Sequence, residues 1–369
     1  MGTDLVRLFL SGDVMLGRGI DQILPHPVDP ALHEQYVRDA RVYVDLAEAA
    51  NGPVPRPAGF AYPWGDALGA LDTEAPDVRL VNLETAVTAG GDPAPGKPVH
   101  YRLHPANLPS LVAVRPDACV LANNHVLDYG PRGLDDTLRA LAGAGLRTAG
   151  AGRNADEARR PAVVPLPGGG RVLVFALGMS SSGVPRDWAA TAERGGVHFA
   201  AAPGREAAAR LTSRLRDEKA PGDIVVVSLH WGSNWGYALP AADLDFAHAL
   251  IDGGTDIVHG HSSHHPRPLE VYRGKLVLHG CGDLINDYEG ITGYHEYRDD
   301  LRLLPLVAVA LEDGGLQEVR LIPMRARRMR LEHASDDDTR WLRTVLHRTS
   351  APHGVRIVLA PDGALTATP

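Results

Sequence analysis

Six clusters of histidine, carboxylate and asparagine punctuate this 369-residue chain, each at the end of a short apolar run. In order they are Asp13 in S-G-D-V-M-L-G-R, Glu84 in V-N-L-E-T, Asn124 and His125 in A-N-N-H-V-L-D-Y-G, His230 in S-L-H-W-G, His261 and His264 in H-G-H-S-S-H-H, and Asp283 in G-C-G-D. Carboxylate oxygens and imidazole nitrogens are the ligands that zinc, manganese or iron select. An open α/β sheet carries its functional loops outside the carboxyl ends of its strands, where these clusters would fall. One histidine after a strand is an ordinary structural residue. Six such clusters point to a site for one or two divalent metal ions (Mn, Zn or Fe).

Each cluster has its own chemistry. Asp13 follows Gly12 and suits a metal anchor, the plain alternative being a turn or helix-capping aspartate. Arg18, in the same loop, carries the planar fork that grips a phosphate or carboxylate, which makes it a substrate-binding candidate or else a surface arginine. The amide oxygen of Asn124 can ligate a cation, and His125 beside it is a proton donor near neutral pH. Asp128, three residues on, can orient that imidazole. His230 ends the apolar run 224–229 and reads as a ligand ahead of a core histidine. In His259-Gly260-His261-Ser262-Ser263-His264-His265-Pro266, Gly260 would allow a sharp turn. His259 still belongs to the preceding strand and His265 precedes proline, so His261 and His264 are the better ligands.

The elements that must hold these residues alternate. Strand-like runs at 5–10, 78–81, 118–122, 172–177, 224–229, 256–259 and 275–279 are separated by amphipathic helical patterns, for example 133–144, 204–218 and 241–252. This is the rhythm of a layered α/β fold. Residues 304–322 break it, with two strands around a D-G-G turn that read as a hairpin, so the sheets are mixed. A proline-rich excursion over 25–63, with a helix predicted over 31–50, is placed to form one wall of the site. Residues 1–330 read as one domain with that excursion as an insertion. Residues 331–369 read as a helix–strand extension packed upon it, and the arginines of 323–330 as a solvated face.

Composition narrows the function classes. With 45 acidic against 37 basic side chains the formal charge is -8, which argues against nucleic acid or an anionic membrane as partner. No run approaches the ~18 apolar residues of a membrane span. The N-terminus reads as a first strand and not a signal peptide, and Cys119 and Cys281 as buried free thiols. Together these predict a cytoplasmic protein.

Taken in order, G-D-V-M-L-G-R, V-N-L-E-T, A-N-N-H-V-L-D-Y-G, S-L-H-W-G, G-H-S-S-H-H and E-V-Y-R-G-K-L-V-L-H-G-C-G-D resemble the CapA family of capsule or poly-γ-glutamate synthesis proteins, over about residues 5 to 325. That family is similar in turn to the calcineurin-like metallophosphoesterases. The resemblance implies a four-layer α/β sandwich with two mixed central β-sheets and a two-metal site at the strand ends. It also implies roles: Asp13 on the first metal with His264, Glu84 bridging, Asn124, His230 and His261 on the second metal, and His125 as general acid. Three departures stand out. Met15 occupies the place of a ligating histidine, and a thioether is a poor ligand for a hard cation. Asn82 and Glu84 compete for the bridging role, and Asn82 and Asp283 are further substrate-binding candidates. The membrane anchor described for many relatives is missing from the pattern. Two readings follow. One is a hydrolase acting on a phosphoester or γ-glutamyl-type amide of a small-molecule substrate through metal-activated water. The other is a non-catalytic accessory protein that binds polymer or synthetase.

Overall fold

Leu5–Val14 is almost wholly buried and runs through the middle of a ten-stranded sheet. The computed structural model describes residues 5–291 and 293–368; Met1–Asp4, on which part of the N-terminal reading falls, lie outside them. On one side of Leu5–Val14 lie Val78–Leu83, Ala118–Val120 and Arg147–Ala149, all parallel. On the other side lies the antiparallel hairpin of Leu301–Ala310 and Leu316–Arg327, as its D-G-G turn predicted. The second sheet has seven strands, with Arg171–Met179, Ile224–His230, Ile257–His261 and Lys275–Leu278 parallel at its centre. Ala162–Pro165 and Leu269–Tyr272 pair antiparallel, so this sheet too is mixed.

Period-two alternation explains how the layers stack. Along Ile224–His230, Val225, Val227 and Leu229 pack with Leu211, Leu215, Phe246 and Leu250 of helices Arg205–Glu218 and Ala241–Asp252. Ile224 and Val226 point the other way, into the core shared with Leu8, Leu80 and the first sheet. Leu71 of helix Ala67–Glu74 and Leu134, Leu138 and Leu141 of helix Gly130–Gly143 pack into that core as well. The result is the expected four-layer α/β sandwich, helices outside and two sheets within. All seven predicted strands are present. Among the described residues no helix is long and apolar enough to cross a membrane.

Three expectations change. The helix predicted over 31–50 forms only as Arg41–Asn51, because the stretch before it turns Glu34 inward onto Arg18. The boundary expected at 330 cuts the strand Arg330–His333, and Arg356–Leu359 and Leu365–Thr368 extend the first sheet from Leu316–Arg327. Gly260 makes no turn. It lies within Ile257–His261, where a Cβ would stand 2.6 Å from the carbonyl oxygens of Leu278 and His279 and 2.7 Å from the Trp231 indole nitrogen.

Candidate metal centre

Strand register assembles the site. Asp13 pairs with Asn82 on one side and with Asp283 on the other, and His230 pairs with His261 in the second sheet. The approach of Asp13 to Asp283 requires glycine, since a Cβ on Gly12 would stand 1.9 Å from the carbonyl oxygen of Gly282. Asp13, His230 and His261 each offer a ligand atom, the three atoms lie within 4.8 Å of one another, and all three residues are buried. The Nδ1 atoms of His230 and His261 are 2.8 Å apart, and Asp13 Oδ1 is 3.7 Å from His261 Nδ1. Asn124 Oδ1 stands 2.9 Å from His230 Nε2, and Glu84 Oε1 3.7 Å from the same nitrogen. Trp231 turns outward against Phe246, so His230 is not part of that core.

The electrostatics suit a cation. Burial, reinforced by Asp283, pushes the Asp13 carboxyl up to about 7. Burial and the Asp13 charge raise Glu84 well above the usual carboxylate range. Burial likewise drives His230 and His261 well below the ordinary imidazole range, which leaves both neutral and able to serve as ligands. Two carboxylates, two neutral imidazoles and an amide oxygen make a nitrogen–oxygen donor set that fits a divalent transition ion.

Beside this set stands a histidine–aspartate pair. His125 Nδ1 is 2.6 Å from Asp128 Oδ2, which leaves Nε2 directed toward Glu84 Oε1 at 3.9 Å. Burial, against the opposing pull of Asp128, lowers His125 to about 4. The Tyr101 ring meets the imidazole edge-on at 4.6 Å, and its backbone N–H donates to Asp128 Oδ2 at 2.6 Å. Lys97 donates to the Asn124 carbonyl and to Asp128 Oδ1.

Four predicted residues are placed otherwise than expected. Arg18 is no substrate clamp: it donates to both oxygens of Asp287 at 2.5 and 2.8 Å and to Glu34 at 2.9 Å, packed under Tyr43. Asn82 is buried, with its amide nitrogen 2.6 Å from Asp13 and 3.2 Å from Glu84, so it orients both carboxylates and touches no open space. Asp283 is also buried, between Asn286 at 2.6 Å and His264 at 3.0 Å, and cannot meet a substrate. His264 stands outside the trio of Asp13, His230 and His261, its Nδ1 turned to Asp283 and its Nε2 3.1 Å from the Asn234 amide. Burial works against its charge, but Asp283 outweighs that and raises its pKa. Met15 is buried, with the Tyr288 hydroxyl 3.9 Å from its sulfur.

The family model described as Bacterial capsule synthesis protein PGA_cap matches residues 7–288, three-quarters of the chain. The chain belongs to this family. Among curated PGA_cap relatives, a probable polyglutamine synthesis accessory protein of Mycobacterium tuberculosis is 52% identical over 367 residues, covering 99% of this chain and 97% of that one. The PGA biosynthesis protein CapA of Bacillus subtilis is 30% identical over 204 residues, 55% of this chain and 49% of that one. Two solved structures are similar in shape. A phosphatase from Mycoplasma pneumoniae has a TM-score of 0.49 at 11% identity, over 88% of this chain and 95% of that one. A 5'-nucleotidase precursor from Thermus thermophilus also has a TM-score of 0.49, at 15% identity, over 95% of this chain and 59% of that one.

Sequence reasoning about this PGA_cap chain missed Lys97, Tyr101 and Ser228. Lys97 reaches residues 27 and 31 positions away from a proline-glycine loop, and no local spacing signals such a contact. Ser228 was visible only as a polar residue in the most apolar strand, two positions before His230.

Proposed function

We propose that this chain is a metal-dependent hydrolase, cleaving a phosphoester or a γ-glutamyl-type amide. The carrying observation is the pairing of a buried nitrogen–oxygen donor set with His125, whose Nε2 turns toward that set while Asp128 holds Nδ1. A module that only binds polymer has no need of a proton-transfer group beside its ligands. A divalent ion bound there would lower the pKa of a water to near neutrality and polarise the scissile group. Asp13, Glu84, Asn124, His230 and His261 would hold it, with Asn82 orienting the two carboxylates. His125, neutral at rest, would accept a proton at Nε2 from the attacking water and deliver it to the leaving group, while Asp128 steadies the imidazolium between the two steps. Met15 leaves the first metal position short of a ligand, so one tightly held ion is the working stoichiometry.

The second reading is favoured by one observation, the 52% identity to a probable polyglutamine synthesis accessory protein. On that reading the chain binds polymer or a synthetase. Both readings are tested by one screen: metal-loaded protein assayed on phosphoesters and on γ-glutamyl amides, beside a His125→Ala variant. Turnover of either class that falls in the variant supports the hydrolase. Absence of turnover on both classes, with polymer binding intact, favours the accessory role.

A further inference from the structure

Ser228, His230, His259 and His261 share one face of the second sheet, because Ile224–His230 and Ile257–His261 run parallel with Ser228 opposite His259 and His230 opposite His261. That face looks toward Ser11 of the first sheet. All five residues are buried. His259 Nε2 is 2.7 Å from the Ser11 carbonyl oxygen, His259 Nδ1 is 3.1 Å from Ser228 Oγ, and Ser228 Oγ is 2.8 Å from His261 Nε2.

We propose that the Ser11 carbonyl, His259 and Ser228 form a one-way hydrogen-bond chain that fixes His261 as the tautomer with a bare Nδ1 facing Asp13 and His230. The direction follows from its first member. A backbone carbonyl can only accept, so the proton of His259 sits on Nε2. Among the described residues His259 makes no other side-chain hydrogen bond and has no ion-pair partner, and an unpaired imidazolium here would be a bare buried charge. His259 is therefore neutral, with a lone pair at Nδ1. Ser228 spends its single hydrogen on that lone pair, and its oxygen is left to accept from His261 Nε2–H. His261 then has one proton, on the nitrogen away from the metal set, and its Nδ1 lone pair, 2.8 Å from His230 Nδ1 and 3.7 Å from Asp13 Oδ1, converges with that of His230 on the space an ion would share.

The chain makes Ser228 and His259 positioning residues. They touch no ion and no substrate, yet they decide which nitrogen of His261 is the ligand and hold its ring in plane. The chain also ties the ligand in the second sheet to the backbone of Leu5–Val14, the strand that carries Asp13. Loss of such an outer hydrogen bond typically costs about 10–100-fold in metal affinity. This inference rests on the reading of His261 as a metal ligand, but its first test needs no turnover.

Long-range proton–nitrogen correlation spectra of Zn2+-loaded, nitrogen-15-labelled protein report each imidazole tautomer. Both His259 and His261 should carry their proton on Nε2. A proton on Nδ1 of His261, or an even mixture of its tautomers, overturns the proposal whatever the enzyme's activity. The second measurement is the affinity for Zn2+ alone, by competition with a chromogenic chelator. Ser228→Ala should weaken it about 10–100-fold and release the His261 tautomer. Unchanged affinity in a folded Ser228→Ala protein would overturn the positioning role. Predicted tautomers with no hydrolysis of any ester or amide would leave the chain standing and count against the hydrolase alone.

Discussion

On the proposed hydrolase reading, His125 differs from its neighbours in that its reach, not its ligation, would carry the function. Its Nδ1 is engaged by Asp128 and its Nε2 is free to work. Proton transfer by a positioned imidazole contributes ~10²–10⁴-fold, so His125→Ala should lower turnover by about that factor with metal content unchanged. The loss should shrink on substrates with good leaving groups; a variant as fast as wild type on a poor leaving group would remove His125 from the mechanism. The sequence made this dyad legible because His125 and Asp128 are three residues apart. Arg18 was misread for the opposite reason. Its chemistry, a fork for carboxylates, was read correctly, but the carboxylates belong to Asp287 and Glu34, 269 and 16 residues away, and nothing local announces them.

At the scale of elements, parallel register does most of the assembly. Asp13, Asn82, His230, His261 and Asp283 come together because their strands end level with one another, which the motif positions at the ends of apolar runs already implied. What stayed hidden is the irregular chain between strands. The 25–63 excursion reaches the site's surroundings through the Glu34–Arg18–Asp287 network and the Tyr43 ring over the guanidinium. Removing one partner of a buried ion network strands the others, at a cost on the order of 3–5 kcal/mol. Arg18→Met should therefore lower the urea midpoint by a corresponding amount, leaving Glu34 and Asp287 buried and unpaired. A loss below about 1 kcal/mol would mean that this network does not hold the excursion in place.

For the whole molecule, the candidate metal centre and the fold would be linked through protons. Asp13 has a raised folded pKa, about 7 against 3.8, so without metal its contribution to stability is present at low pH and is lost as pH rises through 7. A cation reverses this, because it binds the ionised carboxylate and releases the proton. The rise in melting temperature on adding Zn2+ should therefore be larger at pH 8 than at pH 5.5. A rise that is flat or shrinks with pH would mean that Asp13 is not a ligand. The most direct test of the account is the metal content of protein purified without chelator, for wild type and for His230→Ala and His261→Ala. The account predicts at least one tightly held transition-metal equivalent in wild type and its loss in both folded variants. Metal-free wild type, or variants that keep their full metal content, would contradict it.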